Sequence, residues 1–131
     1  MKHMTQITVL LTALLALTGC GGEEAKEPTY VNITPQEAKL LMDQEDGYII
    51  LDVRTEEEYA QGHIPGAILI PDYEIEQKAE EILTDKDLML LVYCRSGRRS
   101  KNASQILQEL GYTDIREFGG ILDWPYEVEQ E

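Results

Sequence analysis

From residue 30 onward, two hydrophobic rhythms alternate along the chain. In the first, apolar residues stand side by side: "YIILDV" at 48–53, "AILI" at 67–70 and "LMLLVYC" at 88–94. Unbroken runs of this length bounded by turn residues mark strands buried on both faces, as in a parallel sheet. In the second, apolar residues recur every three or four positions and so line one side of a helix. Ala38, Leu41 and Met42 form such a face, as do Ile75, Ala79, Ile82 and Leu83 within 73–83, and Ala103, Ile106, Leu107 and Leu110 within 100–110. Residues 30–33 alternate as a short edge strand, and 112–118 supply a last strand through Ile115.

Punctuation agrees with the rhythm. Thr34-Pro35-Gln36-Glu37 is a capping box with proline at the first helical position, and Thr55 with Glu58 repeats the box ahead of a short helix that Gly62 ends. Gly47 and Gly111 stop the helices before them, and Gly119-Gly120 predicts a turn into a final short helix, "ILDW". Strands and helices alternating in this way predict an α/β fold, a parallel sheet of about five strands with helices on both faces and 88–94 at its centre. No internal repeat is present. In such sheets ligands sit beyond the carboxyl ends of strands. Two strand ends carry unusual chemistry: Asp52-Val53-Arg54, and Cys94 onward.

The first twenty residues follow neither rhythm. They hold Lys2, no acidic residue, and an apolar run at 7–17 ending in "LTGC". Eleven helical residues are too short for a hydrocarbon core, which needs about 20. The length fits the apolar region of an export signal. The "LTGC" ending resembles the lipobox of bacterial lipoproteins, and the resemblance implies cleavage before Cys20 and lipid on its thiol and new amino group. The expected organisation is a signal peptide at 1–19, a lipidated Cys20 with a flexible tether at 20–29, and a folded domain at 30–131, exported and anchored by lipid to a bacterial membrane. The plainer alternative is an uncleaved anchor helix.

Composition narrows the picture further. The 131 residues suit one domain, and 43% hydrophobic content supports a packed core. A formal net charge of −14 argues against a nucleic-acid partner, since phosphate backbones call for basic faces. All 25 acidic residues follow Cys20, and of the basic ones only Lys2 precedes it, so a cleaved chain is more acidic still. Against that background Arg95, Arg98 and Arg99 crowd around Cys94 in "VYCRSGRRSKNA". A strand ending at Cys94, a short loop through Arg95, Ser96, Gly97, Arg98 and Arg99, and a helix starting at Ser100 can curl successive N–H groups inward as an anion nest backed by the helix dipole. Gly97 allows the curl. Such surroundings favour a thiolate and welcome an anionic substrate. With Cys20 acylated, Cys94 has no disulfide partner; the alternatives are a nucleophile or a buried, inert thiol.

The spaced elements "LDVRTEEEYAQGHIPGA", "LVYCRSGRRS" and "LGYTDIREFGGILDW" resemble, in that order, the single-domain rhodaneses, a sulfurtransferase family. The resemblance covers residues 30–124. It implies a persulfide-forming Cys94 and a substrate-binding loop of Arg95, Ser96, Gly97, Arg98, Arg99 and Ser100. Asp52 and Arg54 become a structural pair that steadies the loops. His63, in Gly-His-Ile-Pro-Gly, is expected to stabilise its turn rather than to act as a base. The implied reaction moves a sulfane sulfur from a small anionic donor, thiosulfate or a persulfide, to cyanide or a thiol, with no metal or organic cofactor. Many members run on to a Gly and a Pro after the position of Trp124. Here "PYEVEQE" follows, which predicts a more open edge to the site.

Two rival functions frame this one. Cysteine-dependent phosphatases and arsenate reductases place an arginine six residues after the cysteine; here that position is Ser100, and Arg99 falls one short. The other rival is a non-catalytic rhodanese-like binding module, which loss of the cysteine would mark; Cys94 is present.

Overall fold

The computed structural model describes residues 30–131. Five strands form one parallel sheet: β1 (Val31–Asn32), β2 (Tyr48–Asp52), β3 (Ile68–Leu69), β4 (Met89–Cys94) and β5 (Ile115–Gly120), in the spatial order β1-β5-β4-β2-β3. The most apolar run is thus the central strand. Leu90, Leu91, Val92, Tyr93 and Cys94 are all fully buried. Their side chains alternate between two cores, which explains why no polar residue interrupts them. Leu90, Val92 and Cys94 face one core with Leu51, Leu83, Ala103 and Leu107; Leu91 and Tyr93 face the other with Ala38, Ile64, Phe118 and Trp124.

Four helices cover the two faces: α1 (Pro35–Gln44), α2 (Glu56–Gln61), α3 (Ile75–Ile82) and α4 (Arg98–Glu109). α3 and α4 pack on the first core and α1 on the second. α2 buries no residue fully. Its start is fixed by the capping box, with Thr55 Oγ1 accepting from Glu58 N at 3.2 Å and Glu58 Oε1 accepting from Thr55 N at 3.3 Å. Thr34 caps α1 by accepting from Glu37 N at 3.0 Å.

Several boundaries differ from the sequence expectation. The third strand keeps only the middle of 67–70. The helix expected over 73–83 opens as a 3-10 turn at Asp72–Glu74 before α3. Leu83 leaves helical geometry (φ −102°, ψ 77°) and swings into the core, so Ile82, expected inward, is 46% exposed. α4 begins at Arg98, not Ser100, because Gly97 serves as its N-cap. β5 continues through Gly119 and Gly120, expected as a turn, and a 3-10 turn at Ile121–Asp123 follows directly.

The signal peptide, Cys20 and the tether expected at 1–29 lie outside the described residues. Among the described residues no helix is long and apolar enough to cross a membrane.

Candidate active site

β4 ends at Cys94, the chain turns through Arg95, Ser96 and Gly97, and α4 starts. Gly97 takes φ 106°, a left-handed conformation that disfavours any side chain. A Cβ there would also stand 3.1 Å from Lys101 Nζ and 3.4 Å from Gly119 Cα. The turn aims the Gly97 N–H at the Cys94 sulfur, 3.0 Å away. The N–H groups of Arg98, Arg99 and Ser100 follow in the first turn of α4, where a helix offers them no internal acceptor. Of the inward-curling N–H groups expected from the sequence, that of Gly97 points at the sulfur, at the positive end of the α4 dipole. Cys94 itself is a free thiol and fully buried.

A second layer holds this turn in place. Cys94 lies opposite Gly120 in the β4–β5 register, past an irregularity between Val92 and Cys94. The Gly120 backbone presses against the Arg95 peptide so closely that a Cβ would fall 1.9 Å from the Arg95 carbonyl oxygen. That oxygen also accepts from Leu122 N at 3.2 Å. Behind the sulfur, the Cys94 thiol donates to Ser100 Oγ at 3.3 Å. The Ser100 hydroxyl lies 2.7 Å from Glu117 Oε1, 3.0 Å from the Gly97 carbonyl and 3.3 Å from the Gly119 carbonyl. Glu117 is only 1% exposed, and its Oε1 also accepts from Gly119 N at 2.9 Å. The sequence pattern assigns Gly120 to a turn and gives Glu117 no role in the site. The glycine pair did carry a usable signal, since glycine within a strand marks close backbone approach. Nothing local marks Glu117, because its partner comes from α4.

The three arginines do not act alike. Arg95 and Arg98 are exposed, and neither makes an ion pair among the described residues. Arg99, the last arginine of the expected substrate-binding loop, forms a two-pronged pair with Glu58 at the start of α2, Nη1–Oε1 2.7 Å and Nη2–Oε2 2.9 Å. The early start of α4 places Arg99 in its first turn, across from α2. Hydrogen bonding from Arg99 pulls the Glu58 carboxyl down to about 2, aided by Thr55, and the same bonds raise Arg99.

Asp52 and Arg54 form a buried ion pair. Asp52, fully buried at the end of β2, accepts from Arg54 Nη2 at 2.6 Å, from Arg54 N at 2.9 Å and from the Tyr93 hydroxyl at 2.6 Å. Arg54 Nη2 also donates to the Gly62 carbonyl at 2.7 Å, and Tyr93 Oη accepts from Ile64 N at 3.1 Å. One network therefore ties the ends of β2 and β4 to the turn after α2. Burial works against the Arg54 charge, but the Asp52 hydrogen bonds outweigh it and the guanidinium ends raised. Burial first, then the Asp52 charge, pushes Tyr93 far above the usual tyrosine range, so its hydroxyl stays a donor.

His63 sits in that turn. Nδ1 is 2.9 Å from the Tyr59 carbonyl, Nε2 is 3.1 Å from Glu129 Oε1, and the ring stacks on Tyr59 at 3.8 Å. Both nitrogens are engaged, which suits turn stabilisation. The carboxyl-terminal tail folds back against this turn. Glu129 and His63 exchange two backbone hydrogen bonds of 2.8 Å, and Trp124 Nε1 donates to the Glu127 carbonyl at 3.1 Å. The folded-back tail supplies Tyr126 and Val128 to one wall of a cleft of about 410 Å³ that Arg54, Glu58, Arg95 and Leu122 also line.

Comparison with known proteins fits this geometry. A family model described as a rhodanese-like domain matches residues 34–126, most of the chain. The chain belongs to that family. Its relatives include sulfurtransferases. The thiosulfate sulfurtransferase PspE of Escherichia coli is 42% identical over 73 residues, 56% of this chain and 70% of that protein. A sulfurtransferase of Allochromatium vinosum is 41% identical over 88 residues, 66% of this chain and 79% of that protein. Among solved structures, a rhodanese with anions from E. coli superposes with a TM-score of 0.60 at 37% identity, covering 64% of this chain and 99% of that one. The rhodanese-like domain of an Anabaena protein reaches 0.72 at 25% identity, over 79% of this chain and 81% of that one.

Proposed function

We propose that this domain is a sulfurtransferase that carries a sulfane sulfur on Cys94. The observation that carries the proposal is the Gly97 N–H directed at the Cys94 sulfur from 3.0 Å, at the head of α4 and the end of the central strand. In the first half-reaction the thiolate attacks the outer sulfur of thiosulfate. The S–S bond of the donor breaks, sulfite leaves with the bonding pair, and Cys94 becomes a persulfide anion. In the second, cyanide or a thiolate attacks the outer sulfur and the Cys94 thiolate returns. One negative charge stays on the bound sulfur throughout, facing the same fixed dipoles, which is electrostatic stabilisation of the oxyanion-hole kind. Exposed Arg95 and Arg98, flanking the buried sulfur, supply the positive potential that attracts the anionic donor.

Thiosulfate or a persulfide is the donor class this loop suits. Attack on a phosphate ester or on arsenate is disfavoured, because the last loop arginine, Arg99, is committed to Glu58 rather than free to clamp a tetrahedral anion. The domain works at a membrane surface, held by lipid on Cys20; the "LTGC" pattern after an eleven-residue apolar run supports this. The test is turnover: the protein forms thiocyanate from thiosulfate and cyanide and leaves aryl phosphates intact. Phosphate release without thiocyanate overturns the proposal, and the absence of both turns it to a binding module.

A further inference from the structure

Two buried groups near the loop are left unused by this mechanism: the hydroxyl of Ser100 and the carboxyl of Glu117. They stand in line with the nucleophile. The contacts run from the Gly97 N–H to Sγ at 3.0 Å, from Sγ–H to Ser100 Oγ at 3.3 Å, and from Oγ to Glu117 Oε1 at 2.7 Å. A hydroxyl has one proton to donate. Of the three oxygens within its reach, the carboxylate is nearest and the only charged one. The Ser100 lone pair is thereby left facing the thiol.

We propose that Glu117 is the proton partner of Cys94: as the thiolate forms, the Sγ proton passes to Ser100 Oγ and the Ser100 proton passes to Glu117 Oε1. Nothing is oxidised or reduced. The negative charge moves from carboxylate to sulfur, and the region holds one charge before and after. That conservation is the physical reason for the arrangement. Cys94 and Glu117 are both shut off from water, and two anions bridged by one hydroxyl would repel in a medium that screens poorly. The other charges nearby do not offset this. Lys101 Nζ of α4 is 3.6 Å from Glu117 Oε2 but 51% exposed. Arg99 is held by Glu58 of α2, Arg116 of β5 by Asp114, and Arg95 and Arg98 face solvent. Glu117 acts through Ser100 and so is a positioning residue. The relay rests on the reading of Cys94 as the nucleophile.

The test is the pH profile of Cys94 alkylation by iodoacetamide in the full chain, followed by mass spectrometry of the Cys94 peptide, from about pH 5 to about pH 10. A pair that shares one proton titrates in two macroscopic steps. The wild-type rate therefore rises twice, with a flat shelf between, where the pair holds one proton and the thiolate fraction is constant. Glu117→Gln loses the shelf and shows one rise. A purely structural role for Glu117 would scale the rate at every pH and leave the shape alone. A single rise in the wild type, or a shelf that survives in Glu117→Gln, overturns the relay. The wild-type profile decides by itself if the variant does not fold. Thiosulfate turnover is read separately, so a shelf without sulfur transfer faults the proposed reaction and not the relay.

Discussion

Gly120→Ala is the sharpest probe of how the loop is held. Gly120 has ordinary extended backbone angles, φ −136° and ψ 159°, so alanine there meets no conformational penalty. What it meets is the Arg95 peptide: its methyl group would stand 1.9 Å from the carbonyl oxygen, 2.3 Å from the carbonyl carbon and 2.5 Å from Ser96 N. Ordinary contact begins near 3.4 Å. The Arg95 peptide has to retreat by about 1.5 Å, and as backbone it has no rotamer to take up the strain. Overpacking of this kind costs about 1–3 kcal/mol of stability. It also moves the residue joined to Cys94, and misplacement on this scale can slow a reaction on the order of 100-fold. The assay is single-turnover sulfite release from thiosulfate, paired with thermal unfolding. Gly119→Ala is the control. Gly119 sits at φ 88° with nothing within 4 Å of a Cβ, so alanine there strains the backbone by about 1–3 kcal/mol without pushing on the loop. The reasoning is refuted if Gly120→Ala keeps its single-turnover rate within about threefold, or if both variants lose rate equally.

Three further outcomes follow from the same contacts. The Glu58 carboxyl is held at about 2 against an ordinary 4.5, so its pairing with Arg99 stabilises the fold fully above about pH 4.5 and is lost as pH falls towards 2. The gap corresponds to at most about 3 kcal/mol, and partial exposure of both partners brings this to about 1–2. Melting temperatures of wild type and Glu58→Gln should differ at pH 7 and converge near pH 2; a constant difference contradicts the pairing. Tyr93→Phe leaves Asp52 short of one donor and the buried Ile64 N–H without its acceptor, at a cost of about 1–3 kcal/mol in denaturant unfolding, whereas a surface-like loss below about 0.5 kcal/mol counts against the network. Cys20→Ser should abolish fatty-acid labelling and release the protein from the membrane fraction; unchanged labelling contradicts the anchor.

Much of the architecture is legible in the sequence because parallel sheets impose a simple pattern. A strand buried on both faces, such as β4, cannot carry polar residues along its length, and its run from Leu88 to Cys94 declares it. The capping threonines declare helix starts through contacts three residues away. The start of α4 differs from the expectation because Ser100 is a residue type that commonly caps helices, while the cap used is Gly97 in a left-handed turn. The site was half legible. Cys94 and its loop stand out as chemistry at a strand end. The capture of Arg99 by Glu58 joins residues 41 apart in the chain, and Ser100 meets Glu117 across 17. Such pairings depend on how α2, α4 and β5 pack, and no local pattern encodes them. Glu117 lies two residues after Ile115 and so on the same face of β5, where the packing of α4 buries it.

The central claim is that Cys94 carries transferable sulfur, and intact mass tests it most directly. The full chain with Cys20→Ser, which leaves Cys94 as its sole thiol, is treated with thiosulfate and weighed. It should gain one sulfur, about 32 mass units, return to its starting mass with cyanide, and show no gain when Cys94→Ser is added. An unchanged mass with thiosulfate and with persulfide donors, or a gain that persists in the Cys94→Ser protein, would contradict the account.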